Sequence, residues 1–328
     1  MYNNKQPLVS IITPCYNVEK YIADYLDSVI AQTYDNIELI LIDDGATDNT
    51  KEIIDSYVAK IRKRGYKFHY IYQENYGQAS ALNKGLEIFN GNYFIWPDAD
   101  DILSRDNIMF KVIFLQNNPD YSLVRGKRKF FKKDINKSYN RDSEINFKNE
   151  NIFFDLILES TFPAGGCYLM KRELFLKCYP DRKIYQNSEG QNWQLLVPAS
   201  SWSKCGSIDK VLYYIRELPN SHSRKQCNLN EWLMRFDGLQ NILFDSFLHS
   251  NCDIEYCKSI VKERYARRKL EYAFNYNEKK IVKQQYKILK KIDKLNKKDI
   301  LKYFVIQNKI SYYLFIKTRI FRKSIKTK

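Results

Sequence analysis

The sequence predicts an α/β fold: a mostly parallel sheet flanked by helices, followed by a basic, all-helical C-terminal region. Three observations predict this class. Short β-branched runs alternate with helical stretches over residues 1–100, the pattern after residue 222 is entirely helical, and most of the net positive charge lies in that last part. Strand–helix–strand repeats of this spacing form parallel strands joined by right-handed crossovers. We therefore expect a nucleotide-binding type of α/β domain over residues 1–224 and a basic helical region over residues 225–328.

Four apolar runs are the predicted strands of the sheet: residues 8–13, 37–42, 68–72 and 93–96. Each is too short for a helix and apolar enough to be buried on both faces. Helical spacing of apolar residues after Glu19, Thr47 and Gly77 predicts the three intervening helices. A helix at 108–117 and a strand at 121–125 follow. Because ligands bind such sheets at the carboxyl ends of the strands, the loops that follow the strands are the candidate sites.

The C-terminal region is predicted to contain four helices, over residues 229–247, 254–274, 281–292 and 300–321. The 328 residues carry a formal net charge of +16, and residues 277–328 contain 17 Lys/Arg but only 3 Asp/Glu. Residues 309–328 have 7 basic and no acidic residues, with apolar residues near helical spacing. Such a helix can lie on an anionic membrane surface, while a solvated tail, packing against the body and a dimer contact are alternatives.

Composition excludes several classes of protein. With 44% apolar, 28% charged and 15% aromatic residues, the chain is neither disordered, nor a collagen, nor a polytopic membrane protein. The 7 cysteines form no CxxC pair, which favours reduced thiols over disulfides or structural zinc. No signal peptide is evident, and no run reaches the roughly 18 apolar residues that span a bilayer. We expect a cytoplasmic protein whose one membrane contact is peripheral, on the inner face of the cell membrane.

The loop after the first strand, residues 13–19, offers an aromatic contact to a ligand. Pro14 ends the strand, and Tyr16 places a ring at the ligand edge of the sheet, where a planar base could lie against it. An ordinary strand-to-helix turn in which Asn17 caps the helix explains the same residues. This loop taken alone favours the ordinary turn.

The loop after the second strand carries two adjacent carboxylates, Asp43 and Asp44. Carboxylates at this place suit hydrogen bonds to a base N–H or to ribose hydroxyls, as in dinucleotide-binding folds. Capping and turn chemistry explain the neighbouring Gly45 and Thr47, but they do not require two aspartates. The pair therefore favours a nucleoside site.

The loop after the fourth strand is the sharpest candidate, because Asp98 and Asp100 follow a buried strand directly. Hard oxygen ligands of this kind bind Mg²⁺ or Mn²⁺ and leave coordination positions for phosphate oxygens. A surface acidic cluster without a metal is the alternative. The position at the end of the strand favours the metal.

Four ordered blocks carry these loops: VSIITPCYNVEKYI, DSVIAQTYDNIELILIDDGATDNT, ENYGQASALNKGL and GNYFIWPDADD. Together they resemble the inverting family 2 glycosyltransferases of the GT-A fold, strongly over residues 7–106 and weakly to residue 224. The resemblance implies a GT-A catalytic domain over residues 1–224 and a nucleotide-sugar donor, most often UDP-linked. It also implies a Mn²⁺ or Mg²⁺ cofactor and an acceptor hydroxyl on a glycan, a lipid-linked or a protein-linked molecule, in bacterial surface glycan synthesis.

The resemblance assigns a residue to each part of the donor. The residues that would hold the nucleoside are Pro14, Tyr16, Glu19, Asp43 and Asp44. Gln78 and Asn83 would lie along the donor pocket. Asp98 would face the ribose and the diphosphate, and Asp100 would bind the metal together with Asp98.

Three positions depart from the family pattern. Ala46 stands where Ser is usual, and Leu82 stands where Arg commonly precedes Asn83. The family places its general base on an Asp, and Asn192 occupies that position here, although an amide cannot accept a proton at neutral pH. Glu189 could supply the missing carboxylate, so the alternatives are Glu189 as base, a shifted alignment, or a catalytically impaired enzyme. The alternative interpretation of Glu189 is an exposed loop carboxylate with no catalytic role.

Two other classes of function are alternatives to glycosyl transfer. A nucleotidyltransferase would also use a metal at a pair of aspartates, but no Gly-rich, basic loop for a triphosphate follows the first strand. The basic tail alone suggests a nucleic-acid-binding protein. We expect no nucleic-acid partner.

Overall fold

The computed structural model describes residues 6–141, 145–187, 190–218 and 227–326. The chain divides into two compact units. Unit 1 comprises Met1–Lys225 and Ile242–Cys252, and unit 2 comprises Gln226–Asn241 and Asp253–Lys328. The long helix α8, Leu229–Leu248, contributes to both units.

Unit 1 is built on one sheet of eight strands: β1 (Val9–Cys15), β2 (Ile37–Asp43), β3 (Lys67–Tyr72), β4 (Tyr93–Ile95), β5 (Ile102–Leu103), β6 (Leu123–Phe131), β7 (Tyr168–Lys171) and β8 (Cys205–Arg216). The spatial order is β3-β2-β1-β4-β7-β6-β8-β5. Strands β3, β2, β1 and β4 are parallel, as expected for crossover connections. The other half is mixed, because β7 runs antiparallel to β4 and β6, and β5 runs antiparallel to β8.

Among the described residues, seven helices flank this sheet: α1 (Ile22–Ile30), α2 (Thr50–Lys63), α3 (Gln78–Ile88), α4 (Asn107–Asn117), α5 (Phe153–Ile157), α6 (Arg172–Cys178) and α7 (Gln191–Trp202). Two short 3₁₀ turns, Ile135–Lys137 and Gly165–Cys167, complete the described elements of this part. The predicted α/β class is confirmed. The helices expected after Glu19, Thr47 and Gly77 are α1, α2 and α3.

Burial along the strands follows their place in the sheet. Every residue of β2 is buried, and β1 is buried except for Pro14, since both strands have neighbours on either side. The expectation that β3 is buried on both faces is wrong. None of its residues is buried, because β3 is an edge strand of the sheet. Apolar composition alone does not distinguish an edge strand from a central one.

Unit 2 contains α9 (Ile254–Asn275), α10 (Lys279–Lys291), α11 (Lys297–Val305) and α12 (Lys309–Lys326), with the first part of α8. Its core is one apolar cluster: Ala266, Leu270, Ala273, Phe274, Val282, Leu289 and Ile306. The prediction of one helix over residues 300–321 is wrong at the break between α11 and α12. The Asn308 Oδ1 accepts hydrogen bonds from the N–H groups of Ile310 (2.9 Å) and Ser311 (3.2 Å), so a new helix starts there. In the part of the chain that is described, no helix is long and apolar enough to cross a membrane.

Candidate active site

The loops after β1 and β2 are tied together by side-chain hydrogen bonds. The Asn17 Oδ1 accepts from the backbone N–H of Thr47 at 2.8 Å and from its hydroxyl at 3.3 Å. The Glu19 Oε2 accepts from the backbone N–H (3.2 Å) and the side-chain amide (2.9 Å) of Asn49. Asn17, at φ 51°, therefore does not cap α1, which starts after Tyr21 with no side-chain cap. Asn17 and Glu19 of the first loop therefore hydrogen-bond to residues of the second loop.

Pro14 and Tyr16 stand at the end of β1. Pro14 lies within the strand, opposite Ile42, and β1 continues to Cys15, so the expectation that Pro14 ends the strand is wrong by one residue. The Tyr16 side chain is 46% exposed at the carboxyl end of the strand. Its ring is therefore available to a flat ligand at this edge of the sheet.

Asp43 stabilises its own turn and the neighbouring strand. Its Oδ1 accepts from the backbone N–H of Ala46 at 2.8 Å, and its Oδ2 accepts from the hydroxyl of Tyr70 on β3 at 2.6 Å. Gly45, at φ +76°, leaves no room for a side chain, because a Cβ would lie 2.8 Å from the backbone nitrogen of Asn75. A close backbone approach explains this glycine.

Asp44 holds the start of α3. Its Oδ1 accepts from the Gln73 Nε2 (2.7 Å) and from the Tyr76 N–H (3.0 Å), and its Oδ2 accepts from the Gly77 N–H (3.0 Å). Gln73 is 8% exposed, and its Oε1 has no hydrogen-bond partner within the described structure. Since a carboxylate has about four acceptor sites, Asp44 and Gln73 together keep acceptor capacity for a ligand N–H at this edge. Sequence reasoning missed Gln73, whose one signal is a polar residue directly after an apolar strand.

Asp98 and Asp100 lie in the turn that follows β4. The Gln78 Nε2, at the start of α3, donates to the Asp98 Oδ1 at 2.9 Å. Burial, and then the negative charge of Asp100, raises the pKa of Asp98 to about 7. Burial also raises the pKa of the neighbouring Asp101, followed in effect by the charges of Asp100 and Asp98. Three carboxyl groups are thus crowded into one turn.

Residues of β8 hold this turn in place. The Asp98 N–H donates to the Tyr213 hydroxyl at 3.1 Å. The Arg216 backbone N–H donates to the Asp101 Oδ1 at 2.8 Å, and the Arg216 Nε donates to the Asp100 carbonyl at 3.0 Å. The guanidinium also pairs with Asp24 of α1 at 2.7 Å. Sequence reasoning missed Tyr213 as a part of this site, because a tyrosine within a strand gives no signal of its own.

The donor set of this turn fits a divalent cation. Burial and the charge of Asp100 disfavour the ionised form of Asp98, and a positive charge placed between the two half-buried carboxyl groups would offset both effects. The described residues contain no group of three or more His, Cys, Asp or Glu side chains arranged to hold a metal ion. A Mg²⁺ or Mn²⁺ ion held by Asp98 and Asp100 would need its other ligands from diphosphate oxygens and water.

Asn192 lies beside this turn, near the start of α7. Its Oδ1 accepts from the indole N–H of Trp96 at 2.8 Å, and Trp96 is two residues ahead of Asp98. The helix begins after Gly190, which has the left-handed φ of 68°. Glu189, the carboxylate that we predict as base, lies outside the described residues. Asn192 is therefore near the acidic turn, but its amide cannot serve as a base.

Asn83, which is predicted to lie along the donor pocket, binds the backbone of a distant segment, and its neighbour Leu82 lies in the core. The Asn83 side chain donates to the Ile184 carbonyl and accepts from the Ile184 N–H, both at 2.9 Å. It holds the segment that leads toward α7. Leu82 is buried in the core of unit 1. The position where the family commonly carries Arg is thus used for packing.

The 3₁₀ turn Gly165–Cys167, which directly precedes β7, packs against the same site. A Cβ on Gly165 would lie 2.2 Å from the Trp96 carbonyl oxygen, and one on Gly166 would lie 2.1 Å from the Tyr213 ring. The Gly166 carbonyl accepts from the buried Nζ of Lys111 on α4 at 2.9 Å. Glycines are required here because no side chain fits between the turn and two residues of the site.

Comparison with known sequences supports one family. Residues 10–178 match the model of Glycosyl transferase family 2. An uncharacterized glycosyltransferase of Rickettsia felis is 31% identical over 259 residues, covering 77% of this chain and 40% of the relative. Glycosyltransferase GlyG of Streptococcus pneumoniae is 38% identical over 237 residues, covering 68% of this chain and 75% of the relative. The chain spans 40% of the Rickettsia felis relative and 33% of one from Rickettsia typhi.

Comparison with solved structures supports the predicted GT-A fold. Staphylococcus aureus TarS 1–349, in complex with UDP-GlcNAc, aligns with a TM-score of 0.60 at 16% identity, over 91% of this chain and 90% of that one. The mannosyltransferase PcManGT of Pyrobaculum calidifontis, in complex with GDP-Man and Mn²⁺, aligns with a TM-score of 0.57 at 16% identity, over 95% and 87% of the two chains. At such identities the likeness shows the fold.

Proposed function

Because the chain belongs to glycosyl transferase family 2, we propose that it transfers a sugar from a nucleotide-sugar donor to an acceptor hydroxyl, with inversion at the anomeric carbon. The position of Asp98 and Asp100 carries this proposal. Both follow β4, at the edge where the loops after β1 and β2 also meet, and ligands bind α/β sheets at such edges. Residues 1–224 are the proposed catalytic domain, and residues 225–328 are the proposed helical region.

We propose a UDP-linked donor. The S. aureus neighbour, which was solved with UDP and with UDP-GlcNAc, supports this choice. The Pyrobaculum neighbour holds GDP-Man instead, so a GDP-linked donor is the alternative. The exposed Tyr16 ring would lie against the base, and the remaining acceptor capacity of Asp44 and Gln73 suits a base N–H. Pro14, Glu19 and Asp43 would shape this nucleoside site through the loops that they build.

Asp98 and Asp100 are the proposed residues for the diphosphate and a Mn²⁺ or Mg²⁺ ion. When bound, such an ion neutralises the charge that develops on the departing diphosphate. Gln78 orients Asp98 through its 2.9 Å hydrogen bond. In this proposal Asn83 acts on the donor pocket indirectly, because its side-chain amide hydrogen-bonds to the backbone of Ile184.

A carboxylate is needed to take the proton from the acceptor hydroxyl as that oxygen attacks the sugar. We propose Glu189 for this role, since Asn192 stands at the family position of the base and cannot accept a proton. Asn192 instead lies in the first turn of α7, where its Oδ1 accepts a hydrogen bond from the Trp96 indole N–H. The proposed acceptors are hydroxyls of a glycan, a lipid-linked or a protein-linked molecule in bacterial surface glycan synthesis.

We further propose that unit 2 attaches the protein to the inner face of the cell membrane. One face of α12 packs inward, where Tyr312 and Phe315 contact Phe274. The other face is apolar as well, yet Ile310 is 71% exposed and Tyr313 is 64% exposed. An uncovered apolar face in a region with 17 basic and 3 acidic residues suits an anionic lipid surface.

The experiment that tests sugar transfer is a donor screen with the full chain. UDP-GlcNAc, UDP-glucose, UDP-galactose and GDP-mannose are each incubated with the protein, Mn²⁺ and a mixture of simple sugar acceptors. We expect release of a nucleoside diphosphate from at least one donor, above the rate without protein, and loss of that release in Asp100→Asn.

Three other outcomes contradict the proposal. Pyrophosphate release from a nucleoside triphosphate and a sugar phosphate would identify a nucleotidyltransferase. Salt-sensitive binding to duplex or single-stranded nucleic acid, with no nucleotide-sugar binding, would identify a nucleic-acid-binding protein. Absence of both nucleotide binding and turnover would leave an inactive member of the family.

A further inference from the structure

The turn that carries Asp98 and Asp100 is fastened to a strand that is distant in the sequence. The Asp98 N–H donates to the Tyr213 hydroxyl at 3.1 Å, across 115 residues of chain. The same hydroxyl is hydrogen-bonded to the carboxyl of Asp101. Arg216 adds its Nε–H to the Asp100 carbonyl at 3.0 Å. We call Tyr213 and Arg216 the β8 clamp.

Strand pairing and burial hold the residues of the β8 clamp in place. Strand β5 directly follows the turn and pairs with β8, with Ile102 opposite Tyr214 and Leu103 opposite Tyr213. Tyr213 is fully buried, and its ring lies against Gly166, where no Cβ would fit. The ring therefore has little freedom to move, and its hydroxyl is a fixed point for the turn.

The acidic turn needs such a fixed point. Asp98, Asp100 and Asp101 bring three carboxyl groups into one turn, and repulsion between those that are ionised favours backbone conformations that separate them. Hydrogen bonds to the Asp98 N–H, the Asp100 carbonyl and the Asp101 carboxyl oppose that separation. The clamp thus holds the backbone of Asp98 and Asp100.

We propose that the β8 clamp is a positioning device, in which Tyr213 and Arg216 set the direction of the Asp98 and Asp100 carboxyl groups toward the donor diphosphate. The inference rests on the proposed function, because it takes these two residues to be the diphosphate and metal site. It assigns a role to two residues through their hydrogen bonds to the turn that carries Asp98 and Asp100.

The test compares Tyr213→Phe with Tyr214→Phe in the full chain. The two tyrosines are adjacent on β8, but Tyr214 is only half-buried and faces the other side of the strand. Binding of UDP in the presence of Mn²⁺ is measured by calorimetry, together with the KM for the donor and the thermal unfolding temperature. We expect Tyr213→Phe to weaken UDP binding about tenfold, because the turn loses the hydroxyl that fixes its backbone in the binding geometry. Tyr214→Phe is expected to stay within about twofold of wild type.

The outcomes separate positioning from simple stability. If Tyr213→Phe lowers the unfolding temperature but leaves the UDP affinity and the donor KM unchanged, this inference is wrong and the proposed function is not affected. A wild-type chain that binds neither UDP nor GDP with Mn²⁺ would overturn the proposed function, and this inference with it. If Tyr213→Phe does not fold, Arg216→Lys provides the same test, since it removes the hydrogen bond to the Asp100 carbonyl and keeps a positive charge beside Asp24.

Discussion

Two carboxylates at the same sheet edge have different uses. Asp44 accepts three hydrogen bonds, two from backbone N–H groups, and so builds the loop that starts α3. Asp98 accepts one side-chain hydrogen bond, from Gln78, and shares its turn with Asp100, whose charge contributes to a pKa of about 7. A carboxyl in a repulsive environment is suited to a cation, whereas Asp44 spends most of its acceptor capacity on building its loop.

Asp100→Asn is the first test at the residue scale. Loss of one of two metal-binding carboxylates is expected to lower metal-dependent donor turnover by on the order of 100-fold or more. The unfolding temperature should not fall, because the charge that raises the pKa of Asp98 is removed. Turnover is measured as nucleoside diphosphate release, with Asp120→Asn at an exposed position as the control. Undiminished activity of Asp100→Asn, or full activity of wild type in EDTA, would disprove the assignment.

The second test concerns the base. Glu189→Gln is expected to lower turnover by roughly 10²–10⁴-fold, the usual cost of a lost general base, with little change in donor KM. Asn192→Asp is the matched variant, because it restores the family's carboxylate beside Trp96. If Asn192→Asp raises the rate and Glu189→Gln has no effect, the chain has lost its base and the role of Glu189 is wrong.

At the scale of elements, a buried lysine joins α4 to the 3₁₀ turn Gly165–Cys167. The Lys111 Nζ donates to the Asn107 Oδ1 (2.8 Å) and to the Gly166 carbonyl (2.9 Å), and the residue is fully buried. Burial lowers the pKa of Lys111 to about 7, against a smaller opposing effect of Cys167. The turn that packs on Trp96 and Tyr213 therefore rests on a group that titrates near neutral pH.

This lysine makes stability depend on pH. Between about pH 7 and 10.5 the unfolded chain binds one more proton at Lys111 than the folded chain does, so stability rises with pH in that window. From pH 7 to 8.5 the free energy of unfolding should rise by about 1–2 kcal/mol from this group.

Urea unfolding at several pH values, followed by tryptophan fluorescence, measures this rise. Three of the 4 tryptophans, Trp96, Trp193 and Trp202, lie in unit 1. Lys111→Met should lack the rise, and Lys20→Met, at an exposed position, should retain it. Equal pH dependence in the two variants would show that Lys111 keeps an ordinary pKa.

At the scale of the whole molecule, charge is separated along the chain. Of the +16 net charge, +14 belongs to residues 277–328, since 17 basic and 3 acidic residues lie there. Basic residues near an anionic membrane contribute on the order of 1 kcal/mol each, so several together give reversible, salt-sensitive binding. The residues of the proposed membrane contact belong to unit 2, and those of the proposed catalytic site belong to unit 1.

Deletion of residues 309–328 is expected to release the protein from vesicles that contain phosphatidylglycerol, without changing turnover on a small soluble acceptor. Co-sedimentation with anionic and with neutral vesicles measures the effect. Because Tyr312 and Phe315 pack on Phe274, a variant that keeps this contact is also needed. Tyr313→Ser with Leu314→Ser changes only the outer face and should weaken vesicle binding several-fold. Vesicle binding equal to wild type in both variants would defeat the membrane proposal.

The sequence by itself determined the features that depend on local pattern. Apolar periodicity predicted the α/β class, the first four strands, the three helices between them and the helical character of the C-terminal region. It also predicted that Asp98 and Asp100 follow a strand at the ligand edge, because the position of a loop after a strand is a local property.

Only the tertiary structure decided which distant segments meet. The exposure of β3 follows from its place at the edge of the sheet, which its composition does not encode. The partners of the acidic turn, Tyr213 and Arg216, are more than 110 residues away from it. The Asp44 carboxylate accepts its three hydrogen bonds from Gln73, Tyr76 and Gly77, which belong to another loop, so the sequence did not show that it is largely hydrogen-bonded. Periodicity reports which face of an element is apolar, whereas pairing and hydrogen bonding between distant segments are set by how all the elements pack together.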